Sequence, residues 1–322
     1  MSSLPTIPII GGGPAGMSCA LWLHNYGLRP VIVEREAELG GLARFNAYPN
    51  DWLLGRPAES GRENAAAFTR HIREIGVEAL LDTRPRRLSN ANGGFRLELA
   101  SSASGGVQPL SAPALVVATG TRFDGEDWLE RIGDARELIG GGRVHLGPTY
   151  AGEPGADLGA RVAVLGGGDN AFDVSRMLAE RGLRVTLIMR SAAPRARQPL
   201  VDRLREHEAS GAVSIMAART VERLEGGRDG IHIRLDGGAS IEADHVLILF
   251  GYRPNTDEPW LTRLGLERDA RGYLTVDGNM ETSRRGVFAV GDVANPANPC
   301  VVTALASGAM AAREIERRLA AR

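Results

Sequence analysis

Two stretches of the chain repeat one pattern of apolar and polar positions. Ile7-Pro8-Ile9-Ile10 is a short apolar run that gives way to Gly11-Gly12-Gly13-Pro14-Ala15-Gly16, then to a helical stretch as far as about Asn25. Gly27 stops that helix, and a second apolar run, Pro30-Val31-Ile32-Val33, ends on Glu34. The same order returns at Arg161-Val162-Ala163-Val164-Leu165. There it leads through Gly166-Gly167-Gly168-Asp169-Asn170-Ala171 and a helix to about Arg181, to Gly182 and the run Val185-Thr186-Leu187-Ile188-Met189. Strand, glycine turn, helix, glycine stop and second strand make a βαβ unit with a right-handed crossover. Two copies predict two nucleotide-binding domains.

The other segments fit around these units. The pattern predicts helices over Glu63 to Ile75, Leu200 to Ser210 and about Pro299 to Ala320. It predicts strands at Phe95 to Ala100, Ala114 to Ala118, Asp244 to Phe250 and Val287 to Val290, and a small β-meander from Ser214 to about Ile241. Asn298-Pro299 has the form of a helix cap followed by a proline at the first helical position. The glycine-rich stretch 140–159 shows little periodicity and is expected to link the domains.

Composition narrows the function classes. The apolar runs are too short to span a bilayer, and residues 1–8 carry no basic segment of a signal peptide. With 38 basic against 39 acidic residues, the total charge shows no footprint for nucleic acid or anionic lipid. A local basic face at Arg84, Arg86 and Arg87, or at Arg190, Arg195 and Arg197, stays open. The two cysteines, Cys19 and Cys300, make no disulfide framework and fit a reducing, cytoplasmic setting. No metal-ligand cluster is legible, and His145 is expected to be a lone surface histidine in a loop.

The first glycine turn has the parts a dinucleotide needs. Gly11 permits the sharp turn, Gly13 lets backbone approach a pyrophosphate, and Gly16 lets the helix pack close to the sheet. The helix start at Pro14 offers a partial positive charge, and Ala15 and the residues after it offer free N–H groups. Glu34, at the end of the second strand, is placed to accept from ribose hydroxyls.

Further motifs follow in order: Gly40-Gly41-Leu42, Ala118-Thr119-Gly120, Gly251-Tyr252-Arg253-Pro254-Asn255-Thr256 and Gly286-Val287-Phe288-Ala289-Val290-Gly291-Asp292-Val293. With both glycine turns they resemble the low-molecular-weight thioredoxin reductase family, class II of the pyridine nucleotide-disulfide oxidoreductases. The resemblance covers nearly the whole chain. It implies an α/β fold of two Rossmann-like, three-layer ββα domains, the second inserted into the first. FAD would occupy a split domain of residues 1–120 and 245–322, NADPH the inserted domain 121–244, and the chain would form a homodimer. The resemblance places FAD on Gly11, Gly13, Pro14, Ala15, Gly16, Glu34, Arg35, Gly41, Leu42, Thr119, Gly120, Gly291, Asp292, Cys300 and Val301. Asp292 would meet the ribityl chain and pyrophosphate. The last helix would point its N-terminus at the flavin pyrimidine edge, where its dipole favours negative charge.

Two departures bear on activity. Thioredoxin reductases carry a C-x-x-C ahead of the second glycine turn, and the stretch at that spacing here is Thr149-Tyr150-Ala151-Gly152, followed by Glu153. Without a dithiol there, flavin electrons have no internal disulfide to reduce. The family's H-R-R-x-x-x-R after the second strand is Met189-Arg190-Ser191-Ala192-Ala193-Pro194-Arg195, which keeps two of the three arginines. Arginine forks suit the 2′-phosphate, so NADPH is expected on Gly166, Gly168, Asp169, Asn170, Arg190 and Arg195. A site that holds another nucleotide, or none, stays open. The expected activity is transfer of electrons from NADPH through FAD to a non-disulfide acceptor. A related cysteine-free branch reduces ferredoxin or flavodoxin, and it usually has an aromatic residue on a C-terminal extension beyond the equivalent of Arg322. Alternatives are a disulfide reductase using Cys300 as a single thiol, or a flavoprotein redox sensor independent of pyridine nucleotides. Cys300 is otherwise a backbone donor to the flavin whose side chain packs, and Cys19 is expected in the core.

Overall fold

The repeated apolar runs become the central strands of two parallel sheets. A computed structural model of the chain describes residues 4–50, 52–91, 93–102, 107–132, 135–153, 155–228 and 230–321. The chain forms two units, residues 1–122 with 253–322 and residues 123–252.

The first unit begins with strand β1 (Thr6–Ile10), helix α1 (Pro14–Asn25) and β2 (Arg29–Val33). A 3-10 turn at Gly41–Phe45 precedes α2 (Gly61–Glu74), whose start is closed by a reciprocal capping box between Ser60 and Glu63. Then come β3 (Glu78–Leu80), β4 (Thr83–Ala91), β5 (Gly94–Ser101), β6 (Val107–Ala112), β7 (Leu115–Val117) and β8 (Thr121–Phe123). The second unit has α3 (Glu126–Leu129), α4 (Ala135–Gly140), β9 (Val144–Leu146), a 3-10 turn at Tyr150–Gly152, β10 (Arg161–Leu165), α5 (Asp169–Glu180), β11 (Arg184–Ile188) and α6 (Gln198–Ala209). It continues with β12 (Val213–Met216), β13 (Val221–Gly227), β14 (Gly230–Leu235), β15 (Ser240–Ala243) and β16 (His245–Ile248). The chain returns through β17 (Tyr252–Pro254), α7 (Pro259–Thr262), β18 (Val287–Ala289) and α8 (Val301–Ala320). Both crossings run through a two-stranded ribbon of β8 and β17.

The first unit's parallel sheet has the order β18-β7-β1-β2-β3. Its side chains alternate between two cores. Ile7, Ile9, Val116 and Phe288 pack with α1 and α8, while Ile10, Leu115, Val117, Val287 and Ala289 pack with Phe95, Leu97 and Leu99 of the antiparallel β4-β5-β6 sheet. The second unit repeats this plan with a parallel sheet of order β12-β11-β10-β16-β9. Ala163, Leu165, Val246 and Ile248 pack against Leu224, Ile231, Ile233 and Leu235 of an antiparallel β13-β14-β15 sheet. Each unit is thus a Rossmann-like sheet with an antiparallel sheet on one face, the three-layer arrangement expected.

Three expectations need correction. The return to the first unit comes between Tyr252 and Arg253, not at 245, because β16 pairs in parallel with β10 and belongs to the second sheet. The stretch 140–159 is no linker: its Val144–Leu146 pairs with β16 as the edge strand β9, and an edge strand this short leaves no periodicity to read. The last helix starts at Val301 with Cys300 as its cap, so Pro299 is not its first residue. The Thr303 hydroxyl donates to the carbonyls of Asn298 and Cys300, and Asn298 lies before the helix.

Candidate functional site

In the first unit, the turn between β1 and α1 is shaped by backbone contacts. Gly11 has φ +115°, and a Cβ there would lie 2.2 Å from the Ala118 carbonyl oxygen. A Cβ on Gly16 would lie 2.0 Å from the Gly11 carbonyl oxygen, so the helix can approach the sheet only without a side chain. Gly13 is different. Its φ is −74° and a Cβ would meet nothing nearer than Gly41 Cα at 3.8 Å. Neither strain nor packing demands glycine there, and the space it leaves adjoins the N-terminus of α1, which no side chain caps. A pyrophosphate would fit that space.

Glu34, at the end of β2, is buried. Its Oε2 accepts from Gly12 N–H at 2.6 Å and its Oε1 from Glu36 N–H at 3.0 Å, so the carboxylate also braces the glycine turn. Arg35 is exposed and pairs with Glu36. Gly40 N–H donates to the Gly12 carbonyl, which folds Gly41 and Leu42 back against the turn. On the far side Asn255 is buried and bridges to Thr119: its amide donates to the Thr119 carbonyl at 2.8 Å, and the Thr119 hydroxyl donates to the Asn255 carbonyl. Gly120 has φ +62° and open space around it. Asn255 stands in a motif already visible in the sequence, but its locking role needed the tertiary contact.

The long helix α8 crosses α1 where Gly308 allows it; a Cβ there would lie 2.3 Å from the Ala15 carbonyl oxygen. A Cβ on Gly291 would lie 2.7 Å from the Ala15 Cβ, and this approach brings Asp292 to the start of α1. Asp292 has no hydrogen-bond or ion-pair partner among the described residues, and burial raises its carboxyl to about 6. A half-buried acid without a partner is costly, and a hydroxyl-rich ligand would satisfy it. The first-unit residues therefore fit FAD: an open pyrophosphate cradle, a ribose-side carboxylate and an unpartnered acid beside them. Cys300 is part-buried with Sγ 3.4 Å from Thr303 Oγ1, and Val301 opens α8. Cys19 is fully buried, and burial pushes its thiol far above the usual range.

The second unit repeats the turn. A Cβ on Gly166 would strike the Leu249 carbonyl, while Gly168 has open space and precedes α5 without a side-chain cap. Arg190 and Arg195 are exposed at the end of β11. Two other residues expected to touch the nucleotide are engaged elsewhere. Both Asp169 carboxylate oxygens accept from Arg197, and the Asn170 amide donates to Tyr252 Oη at 3.1 Å.

His145 is not a lone loop residue. It lies on β9 with one ring nitrogen 3.0 Å from His245 of β16, and Tyr150 stacks on it with ring centroids 4.1 Å apart. Burial and the neighbouring imidazole lower His145 to about 4. Burial lowers His245 too, helped by Arg143. No sequence signal joined residues so distant in the chain. Among the described residues no group of histidine, cysteine and acidic side chains could hold a metal, and no helix is long and apolar enough to cross a membrane.

The family described as pyridine nucleotide-disulphide oxidoreductase matches residues 5–312. The chain belongs to that family. As a member with the thioredoxin reductase fold, this pyridine nucleotide-disulphide oxidoreductase is an FAD-dependent NADPH oxidoreductase. It is 27% identical over 94% of its length to a ferredoxin–NADP reductase of Ignicoccus hospitalis, of which it covers 94%. It is 30% identical to another from Saccharopolyspora erythraea, over 93% of this chain and 88% of the relative. Lactococcus lactis thioredoxin reductase shares its fold with a TM-score of 0.84 at 22% identity, covering 99% of this chain and 100% of that one.

Proposed function

We propose that the chain passes electrons from NADPH through FAD to an acceptor other than a protein dithiol, a small one-electron carrier of the ferredoxin or flavodoxin kind. The observation that carries this reading is the state of the cysteines. Both are free; Cys19 is sealed inside α1 and Cys300 caps α8. Thr149–Gly152 holds no sulfur, so no dithiol stands where relatives of the thioredoxin reductase kind exchange with a substrate disulfide. The ferredoxin–NADP reductases of Ignicoccus hospitalis and Saccharopolyspora erythraea support the class of acceptor.

FAD supplies, when bound, a centre that accepts a hydride and releases electrons singly or in pairs. The chain's own residues bind and orient. The Gly11–Gly16 turn and the α1 N-terminus would hold the pyrophosphate, Glu34 and Arg35 would border the adenosine ribose, and Asp292 would accept from the ribityl hydroxyls. Gly41, Leu42, Thr119, Gly120 and Gly291 frame the cradle. Cys300 and Val301 would present the positive end of α8 to the flavin, which would favour negative charge there. Gly166, Gly168, Arg190 and Arg195 hold NADPH. A homodimer is part of this reading.

Anaerobic dithionite titration of the flavin-loaded protein tests it: bleaching completes after two electrons per chain, and NADPH then drives reduction of a ferredoxin or flavodoxin but not of thioredoxin. Uptake of four electrons that falls to two in Cys300→Ser would overturn the reading in favour of a thiol reductase.

A further inference from the structure

The segment between β11 and α6 carries Arg190 and Arg195, two like charges on long side chains that project from a connecting loop. Such a loop recognises a phosphate well only if its backbone is already ordered, since ordering it on binding costs conformational entropy. Two sets of contacts order it. The Gly167 carbonyl accepts from Arg195 N–H at 2.7 Å and from Ala196 N–H at 3.1 Å. Asp169, the first residue of α5, then takes Arg197 at both oxygens: Oδ1 accepts its N–H at 2.8 Å and Oδ2 its Nε–H at 2.7 Å. Arg197 is the residue that precedes α6, so this pair ties the start of one helix to the start of the next.

We propose that Asp169 is a positioning residue for nucleotide recognition, holding the 190–197 loop through Arg197 so that Arg190 and Arg195 face the phosphate on the adenosine ribose. This role rests on the reading of the second unit as the NADPH site, and it replaces direct contact between Asp169 and the nucleotide. Electrostatics agree. A bare carboxylate at the start of α5 would repel the pyrophosphate that the helix dipole attracts. Engaged by Arg197 at both oxygens, its charge is matched, and the backbone N–H groups beyond Gly168 keep their attraction for an anion.

The test is isothermal titration of the flavin-loaded protein with 2′,5′-ADP and with 5′-AMP, which differ only in the phosphate that the loop would read. The wild type should prefer 2′,5′-ADP. In Asp169→Asn the Kd for 2′,5′-ADP should rise about tenfold, the loss of one charge-assisted contact, while that for 5′-AMP stays within about twofold. Arg197→Ala should give the same pattern, and the double variant should be no worse than either single one, because both cut the same tie. Equal weakening of both probes in Asp169→Asn would place the carboxylate against the shared part of the nucleotide and overturn the proposal. So would a preference for 2′,5′-ADP that both substitutions leave undiminished. A wild type that binds the two probes alike would overturn the NADPH reading itself, and this role with it.

Discussion

Replacing Gly13 with alanine puts a methyl group into open space, where its nearest neighbour is Gly41 Cα at 3.8 Å and its φ of −74° suits any residue. The flavin-free fold should lose less than about 1 kcal/mol, the difference between glycine and alanine as a helix cap. Replacing Gly16 with alanine drives a methyl to 2.0 Å from the Gly11 carbonyl oxygen. That atom is backbone inside a turn already clamped by Ala118, so relief requires moving α1, and the cost reaches about 3 kcal/mol. Flavin loading should respond in another way. At Gly13 the methyl occupies the phosphate's own space and breaks one or two charged contacts from backbone N–H groups. At about 1.5–3 kcal/mol each, this weakens FAD binding at least about tenfold. Absorbance of the purified chains gives flavin content, and urea unfolding of the flavin-stripped proteins, followed by circular dichroism, gives stability. Gly13→Ala should unfold near the wild-type midpoint yet carry little flavin, whereas Gly16→Ala should unfold early with or without it. Full flavin in Gly13→Ala would show that the space left there is not the phosphate cradle. Wild-type stability in flavin-free Gly16→Ala would refute the packing argument.

Three further outcomes follow from the same contacts. His145 and His245 are both lowered in the folded protein, so between pH 6.5 and about 4 the unfolded chain binds more protons. Stability present above pH 6.5 should therefore be lost as pH falls through that window. Thermal unfolding of wild type and His145→Gln should diverge in slope there, and identical slopes would contradict the assignment. Asp292→Asn removes a burdened carboxyl, so the flavin-free protein should melt higher at pH 8 while FAD binds more weakly; a parallel loss of both would mean the carboxylate has a protein partner. Asn255→Ala should cost about 1–3 kcal/mol by leaving the Thr119 carbonyl unsatisfied, read from urea midpoints, with a shift under about 0.5 kcal/mol counting against it.

The sequence by itself determined both glycine turns, the strands and helices around them, and thus the doubled Rossmann plan. Those features answer local demands: Gly11 and Gly16 are needed by backbone within a few residues or on the adjoining strand, and a run such as Val162–Leu165 is apolar whichever strands flank it. Family motifs extended this to Gly291 and Asp292, since a strand end followed by a glycine and an acid is a contiguous signal.

Only the tertiary structure decided what depends on register and crossing. Parallel strands come from distant parts of the chain, so β9 lies beside β16 and His145 meets His245 through a pairing no local pattern encodes. The same pairing with β10 moves the domain boundary to Tyr252 and Arg253. The place of Asp169 in the nucleotide turn is local and legible in the motif. Its engagement by Arg197 depends on how the loop folds back over Gly167, and that is settled by packing between α5 and α6.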